Sequence, residues 1–143
     1  MTKCITVKQP WASLIVEGIK DIENRTWKTN FRGRILIHAG QNKLSPVRVL
    51  NEQQKAIVKS RMLWNECCLP ETGAIIGSVE IVDCVINHPS IWAEKTDLDS
   101  IHNHMFDPFY TYNWVLANPI KLDTPIPCKG KLSFWDFDET LIK

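Results

Sequence analysis

Gln9-Pro-Trp-Ala-Ser-Leu-Ile-Val-Glu-Gly-Ile-Lys-Asp-Ile-Glu-Asn-Arg-Thr-Trp27 is the stretch of this 143-residue chain that says most about its fold. Pro10 stands directly before Trp11, where its fixed backbone angle suits a helix start, and Gly18 is a natural helix stop. Residues 11–16 therefore read as one or two helical turns, preceded by a short apolar strand at 4–7. Residues 20–27 follow as an extended segment. Side chains alternate across a strand, so Glu23, Arg25 and Trp27 share one face, and Ile22, Asn24 and Thr26 the other. A solvated surface cluster of ion pairs is the plain reading of Lys20, Glu23 and Arg25. A half-buried strand seldom puts Glu, Arg and Trp on one face, however, unless that face lines a wet cleft.

Outward from this stretch, Arg32-Gly33 makes a turn and 34–39 a β-branched strand ending at Gly40. The spacing of Val47, Leu50, Ile57, Val58 and Met62 predicts one longer helix over 46–64, with Pro46 at its start and Ser45 as N-cap. The longest strand is predicted at 74–86, with Ile75, Val79, Ile81 and Val85 on one face and Gly77 as a bulge or close-approach site. Residues 88–109 are polar and interrupted by prolines, which reads as a functional loop or short helix. A strand at 112–116, a proline-bound crossing at 121–127 and a closing strand at 130–137 complete the chain. The helices are too few and too badly placed for a doubly wound parallel sheet. The expectation is an α+β fold: a small mixed or antiparallel β-barrel of five to six strands, with a short N-terminal helix and one longer helix, forming a single domain over 1–143.

Composition narrows the function classes. A formal net charge of +1 means that any nucleic-acid binding must rest on a local basic patch. Such a patch has material: Lys8, Lys20, Lys28, Arg32 and Arg34 concentrate early, Lys129 and Lys131 lie on the closing strand, and acids gather between Asp97 and Glu139. Five cysteines without a Cys-x-x-Cys pair read as free thiols in a reducing compartment. No targeting or membrane-spanning pattern is legible, since the apolar run 74–86 is broken by Glu80 and Asp83, so the expected location is cytoplasmic, or nuclear in a eukaryote. His102-x-His104 with Asp107 is the one sequence cluster with metal-ligand character, but it lacks a third histidine nearby; no metal and no cofactor is expected.

Gly18-x-Lys20-x-x-Glu23-x-Arg25, the Arg32-Gly33 turn before Ile35-Leu-Ile-His-Ala39, and Tyr112-x-Trp114-x-Leu116-x-Asn118-Pro119 leading to Lys129-Gly-Lys-Leu132 and Phe134-Trp135 together resemble the ASCH domain. That family is named for its homology to a transcriptional coactivator and belongs to the PUA-like β-barrels. The resemblance implies RNA or DNA binding, and in one bacterial branch hydrolysis of the amide of acetylated cytidine; a ribonuclease activity is attributed to another bacterial relative. Lys20 falls on the hydrolase branch's catalytic lysine, Glu23 on its threonine, and Glu94 is the conceivable match for its loop glutamate.

The leading expectation is a module for single-stranded RNA or a modified nucleotide, with DNA as a further ligand, no membrane partner and a monomeric state. Its ligand-binding set is Gln9, Trp11, Lys20, Glu23, Arg25, Trp27, Arg32, His38 and Trp114. Arg25 offers a planar fork for phosphate or a base edge, Glu23 orients it or accepts from an exocyclic amine, and tryptophan rings stack on bases. His38, on an apolar strand, reads first as a hydrogen-bonded barrel residue. The alternatives are a small hydrolase, with Lys20 and Glu23 as catalytic groups, and a protein-interaction barrel.

Overall fold

A computed structural model describes residues 1–98 and 110–141. Alternating burial along Thr2–Gln9 (β1) leads into a six-residue helix Trp11–Val16 (α1), in which Ala12, Leu14, Ile15 and Val16 are all buried. Gly18 adopts φ +76°, which lets the amides of Ile19 and Lys20 both turn back to the Leu14 carbonyl at 3.0 Å. That tight stop brings Lys20 beneath α1 and starts the short strand Ile22–Arg25 (β2). Gly33–Lys43 (β3), Ala74–Val85 (β4), Tyr112–Pro127 (β5) and Trp135–Phe137 (β6) complete one mixed sheet in the order β2-β5-β4-β3-β1-β6. The β1–β3 pair is parallel and the other ladders are antiparallel.

The expected closed barrel is not what these ladders form: β2 and β6 are the two edges of an open six-stranded sheet. Side chains bridge the gap instead. Arg25 on β2 donates to the Thr6 carbonyl on β1 at 2.8 Å. Phe134, just before β6, packs 5.3 Å from both Trp27 and Trp114. The concave face holds α1 against Ile35, Ile37, Val79, Ile81 and Trp114, while Leu14 faces a second cluster with Leu50, Val58 and Trp92.

The predicted 46–64 helix is three short ones: Pro46–Val49 (α2), Glu52–Arg61 (α3) and Trp64–Cys68 (α4). Ser45 is the N-cap residue, though its side chain makes no capping bond. The break comes at Leu50, which turns extended and becomes 3 % exposed, and at Asn51, which accepts from the Gln54 amide while Gln54 accepts from its own. This reciprocal capping box makes a new helix start more favourable than continuation. In β4, register shifts flank Gly77, where an added Cβ would meet the Ile120 carbonyl at 2.3 Å. The bulge turns Ile75 to the convex cluster, away from Val79 and Ile81. Strand β5 runs unbroken through three prolines because only Tyr112–Val115 pairs with β2, so the remainder is an edge where a missing N–H costs little. Residues 99–109, including His102, His104 and Asp107, lie outside the described residues.

Candidate functional site

The edge strand β2 pairs with β5 on one side only, which leaves its other side facing a cleft. Glu23 is 7 % exposed and receives the Nε and a terminal nitrogen of Arg25, both at 2.8 Å on the same carboxylate oxygen. Arg25 spends its other contact on the Thr6 carbonyl, and its Nη1 has no hydrogen-bond partner among the described residues. Lys20 is 4 % exposed, donates to the Ile22 carbonyl, and stands 3.8 Å from Glu23 Oε1 and 5.3 Å from the centre of the Trp11 ring. Burial pulls its pKa below the ordinary lysine value and Arg25 adds to this, against the opposing pull of Glu23, Glu94 and Asp21.

Trp11, Glu23 and Asn24 form a partition between two cavities. On one side, a cavity of about 300 Å³ is walled by Trp11 and Trp92 and lined by Lys20, Glu94, Asn51 and Gln54. On the other, a cleft of about 540 Å³ is lined by Arg25, Lys8 and Lys131 with Thr6 and Leu132. Among the described residues Glu23 is the sole acid on that second side, and Arg25 already pairs with it. The loop after β4 reaches the partition through hydrogen bonds. Asn24 donates to the Trp92 carbonyl at 3.0 Å and accepts from the Glu94 amide at 3.0 Å and from Asn113 at 2.9 Å. The buried Asn113 also donates to the Glu94 carbonyl at 3.0 Å. Trp92 meets Trp11 edge-on at 6.5 Å. The Glu94 backbone is thus pinned on both sides, while its carboxylate has no hydrogen-bond partner among the described residues.

Of the predicted set, Trp11, Lys20, Glu23 and Arg25 come together. The other five, Gln9, Trp27, Arg32, His38 and Trp114, line neither of these two cavities. Gln9 is fully buried, its amide spent on Ser13 and the Glu71 carbonyl. Arg32 caps its own turn through the Thr29 and Phe31 carbonyls and pairs with Asp83 at 3.7 Å. Trp114 is 0 % exposed and donates its indole proton to the Trp27 carbonyl at 3.2 Å; Trp27 lies edge-on against it at 4.6 Å. His38 sits in an adjoining cavity, held by Thr6 and the Cys128 carbonyl. The sequence missed Asn24, Asn51, Gln54 and Trp92. The Asn51-x-x-Gln54 capping signal was available, but the other two matter only through contacts about 70 residues away in sequence, shown by the Asn24–Trp92 bond. The five cysteines are unpaired, and burial pushes Cys4 up to about 12 and Cys67 up to about 11, so neither is a ready nucleophile. Among the described residues, no group of three His, Cys, Asp or Glu side chains is placed to hold a metal ion, and no helix is long and apolar enough to cross a membrane.

An open mixed sheet thus wraps one short helix, and the Gly-x-Lys-x-x-Glu-x-Arg stretch runs into the edge strand at its cleft. The ASCH domain model matches residues 5–126, and the chain belongs to that family. It is 31 % identical over 139 residues to human activating signal cointegrator 1 and 27 % identical over the same length to the mouse protein. Those alignments cover 96 % of this chain but 22 % of each relative, so the chain spans about a fifth of their length. In structure it is similar to ASCH from Zymomonas mobilis, with a TM-score of 0.51 at 16 % identity, over 88 % of this chain and 73 % of that one.

Proposed function

We propose that residues 1–143 act as one monomeric ASCH unit that binds single-stranded RNA, or a modified nucleotide within it, at the partition formed by Trp11, Glu23 and Asn24. The carrying observation is local charge: Lys8, Arg25 and Lys131 line a cleft whose one acid among the described residues is already paired, in a chain of net charge +1. Arg25 neutralises phosphate or reads a base edge with its unspent nitrogen, Glu23 holds the guanidinium plane, and Trp11 stacks on a base. Titration of a fluorescent single-stranded RNA should show affinity falling steadily with salt, and Arg25→Ala should weaken binding by about tenfold or more. Arg25→Lys should recover only part, since a point charge replaces a fork. Salt-independent binding would sink this reading.

A second reading has its own observation: Lys20, with its lowered pKa, and Glu94, whose carboxylate accepts no hydrogen bond among the described residues, line the same cavity. There Lys20, once deprotonated, takes a proton from water as the oxygen adds to an amide carbonyl, then returns it to the departing amine, with Glu94 orienting the water. Glu23 stands where the acetylcytidine hydrolases carry a threonine, so that branch's hydroxyl is absent. Mass spectrometry of acetylcytidine and short RNAs after incubation decides between the readings. Product formation that rises with pH, levels off below the ordinary lysine value of 10.5 and is lost in Lys20→Ala makes the protein an enzyme. Intact substrates with saturable binding make it a reader.

A further inference from the structure

His38 opens onto a cavity of about 460 Å³ that adjoins the Arg25 cleft and shares Thr6, Gly40, Gln41, Lys131 and Leu132 with it. Its floor is a hydrogen-bonded relay of three side chains. The Trp135 indole donates to Thr6 Oγ1 at 3.3 Å, Thr6 Oγ1 lies 3.3 Å from His38 Nδ1, and His38 Nε2 lies 2.7 Å from the Cys128 carbonyl. A carbonyl only accepts, so Nε2 carries the donated proton and Nδ1 receives the Thr6 hydroxyl. Both ring nitrogens are spent on holding the floor. Gly130 closes down on this pair so tightly that a Cβ there would stand 2.5 Å from Thr6 Oγ1 and 2.8 Å from His38 Nδ1. Its neighbours Lys129 and Lys131 are thereby set at the rim. Neither forms an ion pair among the described residues, and no acidic side chain lines the cavity. Between the two cavities Leu132 stands 95 % exposed, an apolar edge next to two cations.

The geometry points to a second nucleotide subsite in the His38 cavity, so that the ligand is an oligonucleotide of at least two residues rather than a free nucleoside. Lys129 and Lys131 take the phosphate that follows the nucleotide seated at Trp11 and Arg25, and Leu132 covers the apolar face of its sugar or base. A cationic or metal ligand is disfavoured by the same lining, which offers lysines and no carboxylate. The inference rests on the cleft reading above and extends it along the strand.

The test compares a mixed-sequence RNA tetranucleotide with the four nucleoside 5′-monophosphates by calorimetric titration of the intact protein. The tetranucleotide should bind about tenfold tighter or more. Lys129→Glu, an exposed position that lines only this cavity, should reduce that preference about fivefold or more, and Lys131→Ala should reduce it in the same direction. Each loss should also lower the salt slope of tetranucleotide binding by about 0.7. Equal affinity for monophosphates and tetranucleotide, or a preference untouched by either variant, overturns the subsite and leaves the cleft reading standing. No binding of any probe, or Arg25→Ala retaining wild-type monophosphate affinity, overturns the cleft reading and the subsite with it.

Discussion

Lys20 occupies a position that costs the fold something. Its ammonium is almost fully enclosed, partnered by one carbonyl, one carboxylate at 3.8 Å and a ring face, and its pKa sits below the ordinary value because burial outweighs them. The sign of the pH effect follows. Between the lowered native pKa and the ordinary 10.5, the unfolded chain holds a proton that the native chain does not, so stability rises with pH through that window and falls as pH drops through the native pKa. Lys20→Met keeps the aliphatic volume and removes the buried charge. It should raise the melting temperature near neutral pH, abolish this pH-dependent rise, and weaken ligand binding or turnover; a lower melting temperature would show that the Glu23 pairing outweighs burial after all. At this scale the sequence was informative where spacing alone sets the geometry: Lys20, Glu23 and Arg25 lie within six residues on one strand and its approach. It was uninformative for tryptophan. Trp11 and Trp114 are the same residue type, but Trp114 is enclosed by Trp27 edge-on at 4.6 Å and Phe134 stacked at 5.3 Å, whereas Trp11 is left at a cleft.

Among the elements, α3 does more than cover the core. Its first turn carries Asn51 and Gln54 on the wall of the Lys20 cavity, and Gln54 donates to the Ile91 carbonyl at 3.0 Å, tying the helix to the loop that bears Trp92 and Glu94. Asn51→Ala removes the capping box and should cost about 1 kcal/mol in urea denaturation. The same change should also loosen the 86–98 loop, read as faster amide exchange at Trp92 and Glu94. Helix periodicity over 46–64 pointed to one element because apolar spacing survives the break; the capping pair that overrides it is a local hydrogen-bond signal that periodicity does not register. The prolines of β5 misled in the opposite direction. They suggested an interruption, whereas a strand loses its partner on one side beyond Val115 and accommodates them.

Across the whole molecule, charge is partitioned although the total is near zero. The cleft and its neighbour carry Lys8, Arg25, Lys129 and Lys131 against the paired Glu23, whereas a separate cavity of about 240 Å³ under α1 and α4 gathers Glu17, Glu66 and Glu71 around Lys121. Net charge could not disclose that division, because folding, not composition, sorts the ions by face. Closure of the sheet was likewise beyond the sequence: the strands were legible, but whether β2 and β6 meet through backbone or side chains depends on Arg25, Trp27 and Phe134 converging from distant positions. Phe134→Ala should cost about 2–3 kcal/mol, below the cost of a fully enclosed ring, and should lower RNA affinity as the seam beside Arg25 relaxes. Strand β6 has a mechanical consequence of its own. Thr2 lies opposite Phe137 and Cys4 opposite Trp135, so the two ends of the domain leave side by side from one three-pair ladder. Tension applied between them opens that ladder pair by pair like a zip, beginning at Thr2 and Phe137, while β1 stays locked into the sheet through its parallel register with β3. A domain strung between two anchors would therefore yield first at β6, loosening the Trp135 end of the His38 relay before the Lys20 pocket feels any load.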